Sequence, residues 1–283
     1  MQVIEAVQGL RRHLVDLRQD SIALVPTMGC LHAGHVSLIR KAKRLADVVV
    51  VSIYVNPLQF GEGEDFEQYP RTFEEDVRIC EAEGVDVLFH PHNLYADDGA
   101  KITLKVHDMD CVLCGASRVG HFDGVVTVVN MLFNIVQPNL AVFGEKDWQQ
   151  LTILRRMVAD LHMPVSIVGS ALIREKDGLA MSSRNRYLKD NERQQALFLS
   201  QVLRLMQQLA LQGKTNKHIL DLGLKYLAKS HIQVEYLDIR HEHSLLPSMR
   251  MPLTTDRLFV AATIGQTRLI DNMPLLENLE KVE

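Results

Sequence analysis

The chain has 283 residues, a length that suits one large domain or two modest ones. Hydrophobic residues make up 47% of it, and the net charge of −4 argues against nucleic acid or a membrane surface as the main partner. The longest apolar run, residues 45–55, contains Asp47 and is too short to span a bilayer. Because the first residues lack the pattern of a signal peptide, we expect a cytoplasmic protein.

The first part of the chain alternates between strand-like and helix-like segments. Short apolar runs predict strands at residues 22–25, 48–55, 86–89, 140–144 and 165–169. Helical spacing of apolar residues predicts helices over 34–46, from a capping box at 72–75 to Gly84, and over 147–161. Nearly all-apolar strands that alternate with helices predict an α/β fold, with a parallel sheet covered by helices on both faces.

Residues 124–138 give a mixed signal. Their valines favour a strand, whereas the length of the segment favours a buried helix that ends before Pro138. We predict a helix here.

The pattern changes after about residue 176. Residues 191–230 resemble two helices separated by residues 212–216, and three strand-like runs follow, at 232–239, 257–264 and 267–271. This α+β pattern predicts a smaller second domain, so we expect domains at 1–176 and 177–283.

Two histidines and two glycines follow the first of these predicted strands, at Gly29, His32, Gly34 and His35. Ligands of open parallel sheets bind beyond the carboxyl ends of the strands, and a helix that starts here points free N–H groups and a positive dipole end to that place. Glycines allow close approach of the backbone, and imidazoles donate hydrogen bonds to phosphoryl oxygens. A metal site would need a third ligand, which the local sequence lacks, and chance is the remaining alternative. Position and flanking elements together favour phosphate binding.

Three further clusters support a nucleoside triphosphate site, although each one alone is compatible with an ordinary loop. Residues 54–60 place Asn56 and Gln59 at the same edge of the sheet. In residues 143–151, Lys146 can meet phosphate as a point charge, whereas Asp147 can also serve as a plain helix cap. Two serines and two arginines in residues 181–186 follow a flexible segment and predict a mobile phosphate clamp.

The cysteines Cys111 and Cys114 form a C-x-x-C motif, with His107 and His121 nearby in sequence. A single motif of this kind is a weak sign of zinc or redox chemistry, and the alternative is ordinary reduced thiols. We assign no metal ligands.

The motifs resemble those of a known family. "HAGH" and "MSSRN" are similar to the HxGH and KMSKS-type signatures of the nucleotidyltransferase superfamily. The longer stretches together resemble the pantothenate synthetase (pantoate–β-alanine ligase) family: "PTMGCLHAGH", "VSIYVNPLQF", "YPRTFEEDV", "GHFDGVVTVV", "FGEKDWQQL" and "REKDGLAMSSRNRYL". The resemblance runs from about residue 20 to 190 and continues more loosely through "VEYLDIR" and "RLFVAATIGQTRLIDN".

This resemblance implies a Rossmann-like ATP domain, a smaller C-terminal lid domain, a homodimer and a requirement for Mg²⁺. It also implies that ATP, pantoate and β-alanine give pantothenate, AMP and pyrophosphate through a pantoyl adenylate.

The resemblance also assigns residues. Its ATP-binding positions correspond to Met28, Gly29, Cys30, Leu31, His32, Ala33, Gly34, His35, Gly144, Glu145, Lys146, Asp147, Ile173, Met181, Ser182, Ser183 and Arg184. His35 matches the catalytic histidine, and we expect charge neutralisation to be shared among His32, His35, Lys146, Ser182, Ser183 and Arg184. Gln59 and Gln150 match the glutamines that hold pantoate, and we expect Asn56, which precedes Gln59 in the same stretch, to help bind the substrates.

The sequence departs from the family pattern at Val119 and Ala171, where proline is usual, and we expect both loops to be looser as a result. Arg118 keeps a positive charge in the first of these loops. Two other functions stay open at this point: a different nucleotidyl transferase, and a nucleotide-binding sensor without catalysis.

Overall fold

The computed structural model describes residues 1–277. The chain divides into two compact units. The first unit consists of residues 1–111, 115–145 and 153–172, and the second consists of residues 112–114, 146–152 and those from 173 onward. The domain boundary near residue 176 stays a prediction.

The first unit contains a six-stranded parallel sheet. Its strands are β1 (Gln2–Ile4), β2 (Ile22–Thr27), β3 (Val48–Ile53), β4 (Val87–Phe89), β5 (Leu140–Gly144) and β6 (Ser166–Ser170), in the order β1-β4-β3-β2-β5-β6. Every neighbouring pair is parallel, which confirms the predicted α/β class. The carboxyl ends of all six strands therefore lie at one edge, where a ligand site is expected.

Six α-helices lie within residues 1–172. They are α1 (Val7–Val15), α2 (Ala33–Leu45), α3 (Phe73–Ala82), α4 (Leu113–Ser117), α5 (His121–Val136) and α6 (Trp148–Asp160). The ambiguous segment is helical, as predicted, and α5 ends where Gln137 turns into the left-handed conformation before Pro138. Neither β1 nor α1 was predicted from the sequence.

Strand β2 shows that both faces of the sheet are covered. Ala23 and Val25 pack in one cluster with Ile39 and Ala42 of α2. Successive side chains of a strand point to opposite faces, and Leu24 is also fully buried. The long apolar run of this strand thus reflects burial on two sides.

The capping box predicted for α3 is wrong. Thr72 is the residue before the helix, but its side chain makes no capping hydrogen bond. Its hydroxyl lies 3.3 Å from Oδ1 of Asp76. The buried carboxylate is a strong acceptor that needs donors, so it takes the hydroxyl group that would otherwise have capped the helix.

The second unit contains a three-stranded antiparallel sheet with two long helices. Its elements are α7 (Asp190–Leu211), α8 (Asn216–Leu227), β7 (Gln233–His241), β8 (Asp256–Ile264) and β9 (Thr267–Pro274), with the sheet order β7-β8-β9. Leu203 and Met206 of α7 share a buried cluster with Ile239, Leu258 and Val260 of the sheet. The predicted smaller α+β region is confirmed. Within residues 1–277, no helix is long and apolar enough to cross a membrane.

Candidate active site

The loop between β2 and α2 is held by a buried carboxylate. Asp76 of α3 is 1% exposed, and its two oxygens accept the backbone N–H groups of Cys30 at 2.9 Å and Leu31 at 2.7 Å. Gly29 has a φ of 80°, and a Cβ atom there would lie 3.0 Å from the same carboxylate. The close approach of backbone to carboxylate thus explains glycine at this position.

Asp76 was not found by sequence reasoning, although it lies in the "YPRTFEEDV" stretch that carries the family resemblance. Burial raises the pKa of this carboxyl above its ordinary value, and the hydrogen bonds from Leu31 and Cys30 oppose that shift. Such a group is suited to organising backbone, because each of its oxygens is already engaged by an N–H donor.

The side chains of the two histidines cap the start of α2 by accepting backbone N–H groups. His32 is the N-cap, and its Nδ1 accepts the N–H of Gly34 at 3.1 Å, while Nδ1 of His35 accepts the N–H of His32 at 3.3 Å. Their ring centroids are 4.1 Å apart. Because Nδ1 is the acceptor in both rings, the proton of each neutral ring is assigned to Nε2, which makes that atom a donor.

Gly34 is a steric requirement of this arrangement. A Cβ atom on Gly34 would lie 2.8 Å from Cε1 and 2.9 Å from Nδ1 of His32. The imidazole of His32 can therefore fold back over the helix start because Gly34 lacks a side chain. This contact gives a physical reason for the H-x-G-H spacing.

Asn56 and Gln59 lie at the end of β3, beside Met28 of the neighbouring loop. Asn56 is 1% exposed, and its Nδ2 donates to Gln59 Oε1 and to the carbonyl oxygen of Gly124, both at 3.1 Å. Gln59 Nε2 lies 3.1 Å from the sulfur of Met28. Tyr95 donates its hydroxyl proton to Asn56 Oδ1 at 2.6 Å. The structure thus brings together three of the predicted site residues: Met28, Asn56 and Gln59.

A second group of contacts, absent from the sequence prediction, holds the backbone of Gln59. Arg118 Nη2 donates to the carbonyl oxygen of Gln59 at 3.2 Å, and Arg118 Nη1 lies 2.8 Å from His121 Nε2. A guanidinium group only donates, so Nε2 accepts and Nδ1 of His121 donates to the same carbonyl at 2.7 Å. Arg118 also forms a bidentate ion pair with Glu64, at 2.7 and 2.6 Å.

The ion pair changes the acidity of Glu64. Burial raises the pKa of the Glu64 carboxyl, but the hydrogen bonds and charge of Arg118 oppose this shift more strongly, so the pKa lies below its ordinary value. Glu64 is therefore a carboxylate at neutral pH and balances the charge of Arg118.

Arg118 and His121 stand at the two ends of a tight turn. The N–H of His121 donates to the carbonyl of Arg118 at 3.0 Å, and Gly120 has φ 80° and ψ −8°. These angles belong to the third residue of a type II turn, whose second position favours proline. Val119 occupies that second position and is 90% exposed. The turn would therefore accommodate the proline that the family resemblance leads us to expect at this position.

Most of the other predicted residues lie in the second unit. Lys146 lies in a 3-10 helix, Glu145–Asp147, that leads into α6, and its Nζ is 3.4 Å from Asp147 Oδ1. Gln150 follows in the first turn of α6. Gly144 and Glu145, which precede Lys146, belong to the first unit.

Backbone contacts link residues 173–174 to residues 180–181, where the "MSSRN" loop begins. Arg174 and Ala180 form an antiparallel bridge, and the N–H of Met181 donates to the carbonyl of Ile173 at 3.0 Å. Ser182 caps the 3-10 helix Ser183–Tyr187 by accepting the N–H of Arg184 at 3.3 Å. Ile173 and Met181, predicted as ATP contacts, are thus neighbours in the structure.

The C-x-x-C cysteines have different environments. Cys111 is exposed, whereas Cys114 is buried, with its sulfur 3.1 Å from the hydroxyl of Tyr236 and 3.4 Å from Nη2 of Arg268. In the part of the chain that the structure describes, no three His, Cys, Asp or Glu side chains are grouped so that they could hold a metal ion.

Comparison with known proteins identifies the family. The family model described as pantoate-beta-alanine ligase matches residues 2–274. A pantothenate synthetase of Acinetobacter baylyi is 47% identical over 281 residues, which cover 96% of this chain and 98% of that relative.

Solved structures agree over nearly the whole chain. Pantothenate synthetase from Thermus thermophilus matches with a TM-score of 0.94 and 42% identity, covering 98% of this chain and 100% of that one. Pantoate-beta-alanine ligase from Francisella tularensis, crystallised with beta-gamma ATP and beta-alanine, matches with a TM-score of 0.80 and 32% identity, covering 97% and 98%. This chain therefore belongs to the pantoate-beta-alanine ligase family.

Proposed function

We propose that this protein is an ATP-dependent ligase that joins pantoate to β-alanine, with pantoyl adenylate as the intermediate and AMP and pyrophosphate as products. The observation that carries the proposal is the pair of histidines at the start of α2, in a chain that belongs to this family. Both Nδ1 atoms accept backbone N–H groups, so the proton of each neutral ring is assigned to Nε2, the atom that would donate to a phosphoryl oxygen.

Charge neutralisation is the main requirement of the first step, in which the pantoate carboxylate attacks the α-phosphate of ATP. Both reactants are anions, so positioning and preorganised donors lower the barrier. The positive end of the α2 dipole, with His32 and His35, acts on the nucleotide. Lys146, Ser182, Ser183 and Arg184 contribute further donors, and no side chain needs to bond covalently to the substrate.

Pantoate is held by the amides of Gln59 and Gln150, each of which offers a donor and an acceptor to a small hydroxy acid. Asn56 acts on pantoate through Gln59, since its Nδ2 donates to Gln59 Oε1. The amine of β-alanine then attacks the acyl carbon and releases AMP. Because water would hydrolyse the adenylate, the site needs to close, and we assign this role to the C-terminal domain and residues 175–186.

Mg²⁺ is the expected metal. Mg²⁺ that accompanies ATP is commonly held by substrate phosphates, water and one or two carboxylates. When bound, the ion neutralises phosphate charge. Glu145 and Asp147, which flank Lys146, are the carboxylates nearest to that lysine in sequence. We also propose that the protein is a cytoplasmic homodimer.

Isotope exchange tests the first half-reaction. Radiolabelled pyrophosphate is expected to enter ATP when pantoate and Mg²⁺ are present, without β-alanine. Full turnover with β-alanine should release free AMP. ATP binding with neither exchange nor AMP release would favour a nucleotide sensor, and a product that retains AMP would favour another nucleotidyl transferase.

Two substitutions test the assigned roles. His35→Ala is expected to reduce exchange by roughly 10²–10³-fold, since one charge-stabilising donor is lost. Gln150→Ala should raise the pantoate concentration needed for exchange while leaving ATP binding nearly unchanged. Exchange by His35→Ala within about threefold of wild type at saturating ATP would contradict its role. Loss of ATP binding in Gln150→Ala, with an unchanged response to pantoate, would contradict the assignment of Gln150 to pantoate binding.

A further inference from the structure

Two adjacent side chains near the end of β9 contact the segments that carry Lys146 and the "MSSRN" loop. They are Asp271 and Asn272, the last two residues of the "TRLIDN" stretch, and they are 3% and 5% exposed. Strand β9 pairs with β8 from Thr267 to Pro274. The backbone that carries these two side chains is therefore fixed by a complete ladder of strand hydrogen bonds.

Asn272 contacts the backbone of Lys146. Its Nδ2 donates to the carbonyl oxygen of Lys146 at 2.8 Å, and its Oδ1 accepts a hydrogen bond from Arg257 of β8. Both ends of the amide are thus engaged, which fixes its orientation. The guanidinium group of Arg257 also lies 3.3 Å from the centroid of the Trp148 ring. Trp148 in turn donates its indole N–H to the carbonyl of Glu242 at 2.7 Å.

Asp271 contacts the base of the "MSSRN" loop. Its two oxygens accept a bidentate pair of hydrogen bonds from Arg174, at 2.7 and 2.9 Å. Arg174 Nη1 also donates to the carbonyl of Gly178 at 3.1 Å, and Arg174 bridges to Ala180, next to Met181. The carboxylate therefore holds Arg174, and through Arg174 it is connected to both arms of the hairpin that leads into Ser182 and Ser183.

We propose that Asp271 and Asn272 are positioning residues for adenylation, which set the Lys146 segment and the "MSSRN" loop relative to each other through one strand. This inference rests on the proposed function, since it takes both segments as phosphate-binding. Asn272 acts on the Lys146 backbone, and Asp271 acts on the loop through Arg174. A displacement of about 1 Å at a reacting group can reduce a rate about 10²-fold, so a misplaced Lys146 costs activity although its ammonium group is intact.

The primary test compares Asn272→Ala with Gln207→Ala. Gln207 of α7 also donates its amide to a backbone carbonyl of β9, that of Pro274, at 2.7 Å, so the control removes a bond of the same kind away from Lys146. Asn272→Ala is expected to lower kcat of pyrophosphate exchange at least about tenfold, with KM for pantoate within about twofold of wild type. Gln207→Ala should retain wild-type kcat. Equal losses in the two variants would overturn the proposal.

A double-mutant cycle with Lys146→Ala separates positioning from general damage. If Asn272 acts through Lys146, then Asn272→Ala causes no further loss in single-turnover adenylation once Lys146→Ala is present. A further loss of the same factor would overturn the proposal, as would unchanged adenylation in Lys146→Ala alone.

Hydrogen exchange supplies a readout that does not depend on the reaction. Asn272→Ala should speed exchange of the backbone amides of residues 146–150, and Asp271→Asn that of residues 174–186, whereas Gln207→Ala should affect neither segment. Unchanged exchange in both segments would overturn the proposal. If the wild-type protein shows no adenylation activity but the variants still show these differences in amide hydrogen exchange, the result would instead count against the proposed function.

Discussion

The histidine loop, residues 28–35, and the turn at residues 118–121 both shape the carboxyl edge of the parallel sheet, but different forces hold them. The loop depends on a nearly inaccessible carboxylate and on histidines that cap their own helix. The turn depends on an ion pair between half-buried side chains, Arg118 and Glu64. Salt screens an ion pair between partly exposed side chains more than it screens hydrogen bonds to a buried carboxylate. The loop should therefore resist an increase in salt concentration that loosens the turn.

Gly34→Ala gives the largest expected effect and tests the loop. The added methyl group would overlap the imidazole of His32, so the ring must leave its capping position. We expect pyrophosphate exchange to fall roughly 10²–10³-fold, with a change in the free energy of unfolding of no more than about 1 kcal/mol. The control is Gly9→Ala in α1, where the nearest contact of a new Cβ is an ordinary 3.4 Å. Activity of Gly34→Ala near that of the control would show that the ring position does not matter.

Asp76→Ala should cost the loop its stability. The change leaves the buried N–H groups of Cys30 and Leu31 without their acceptor, at about 1–3 kcal/mol each, so we expect a loss of roughly 2–6 kcal/mol in urea unfolding. Asp47 accepts the N–H of Ser21 at an exposed position, and Asp47→Ala should lose no more than about 1 kcal/mol. Similar losses in the two variants would show that burial of the N–H groups does not explain the loss of stability.

Glu64→Gln tests the pH dependence of the turn. The pKa of Glu64 is lowered from 4.5 in the folded protein, so its contribution to stability is present above pH 4.5 and is lost as the pH falls through the folded pKa. The free energy of unfolding of the variant should be lower by about 1 kcal/mol at pH 7, and the difference from wild type should shrink below pH 4.5. Glu62→Gln, an exposed neighbour, should follow wild type. A difference that does not shrink as the pH falls below 4.5 would contradict the ion-pair interpretation.

Val119→Pro has the smallest expected effect and should stabilise the turn at residues 118–121. Proline fits the second position of a type II turn, and Arg118, which would precede it, lies outside α4. We expect a gain of about 0.4–1 kcal/mol from the lower entropy of the unfolded chain, measured by thermal unfolding, with unchanged exchange activity. Val119→Ala should give no such gain. Destabilisation by proline would mean that the turn is not of type II in solution.

The parts of the fold that were predicted have local signals. Strands β2, β3 and β5 are apolar runs, and α2 follows a regular spacing of apolar residues, so each could be found from a short window. Strand β1 has three residues, and it exists because Gln2 to Ile4 pair with Val87 to Phe89. No pattern within Gln2–Ile4 distinguishes such a strand from an extended end.

The residues of the candidate site also divide into those with a local sequence signal and those without one. His32, Gly34 and His35 were found because their spacing within four residues carries the information. Asp76 and His121 were missed because their partners Leu31 and Gln59 lie 45 and 62 residues away. The capping box at Thr72 failed for a related reason, since the sequence did not reveal that Asp76 would be buried and in need of a donor.

The stack of Arg257 on Trp148 has a practical consequence. Trp148 is the sole tryptophan of the 283 residues and lies two positions after Lys146. A cation 3.3 Å from the ring centroid and a hydrogen bond from the indole N–H set the electrostatic environment on which the emission of this ring depends. Intrinsic fluorescence of the unlabelled protein therefore reports on one defined segment, and a titration with ATP can follow the Lys146 region by its emission wavelength alone.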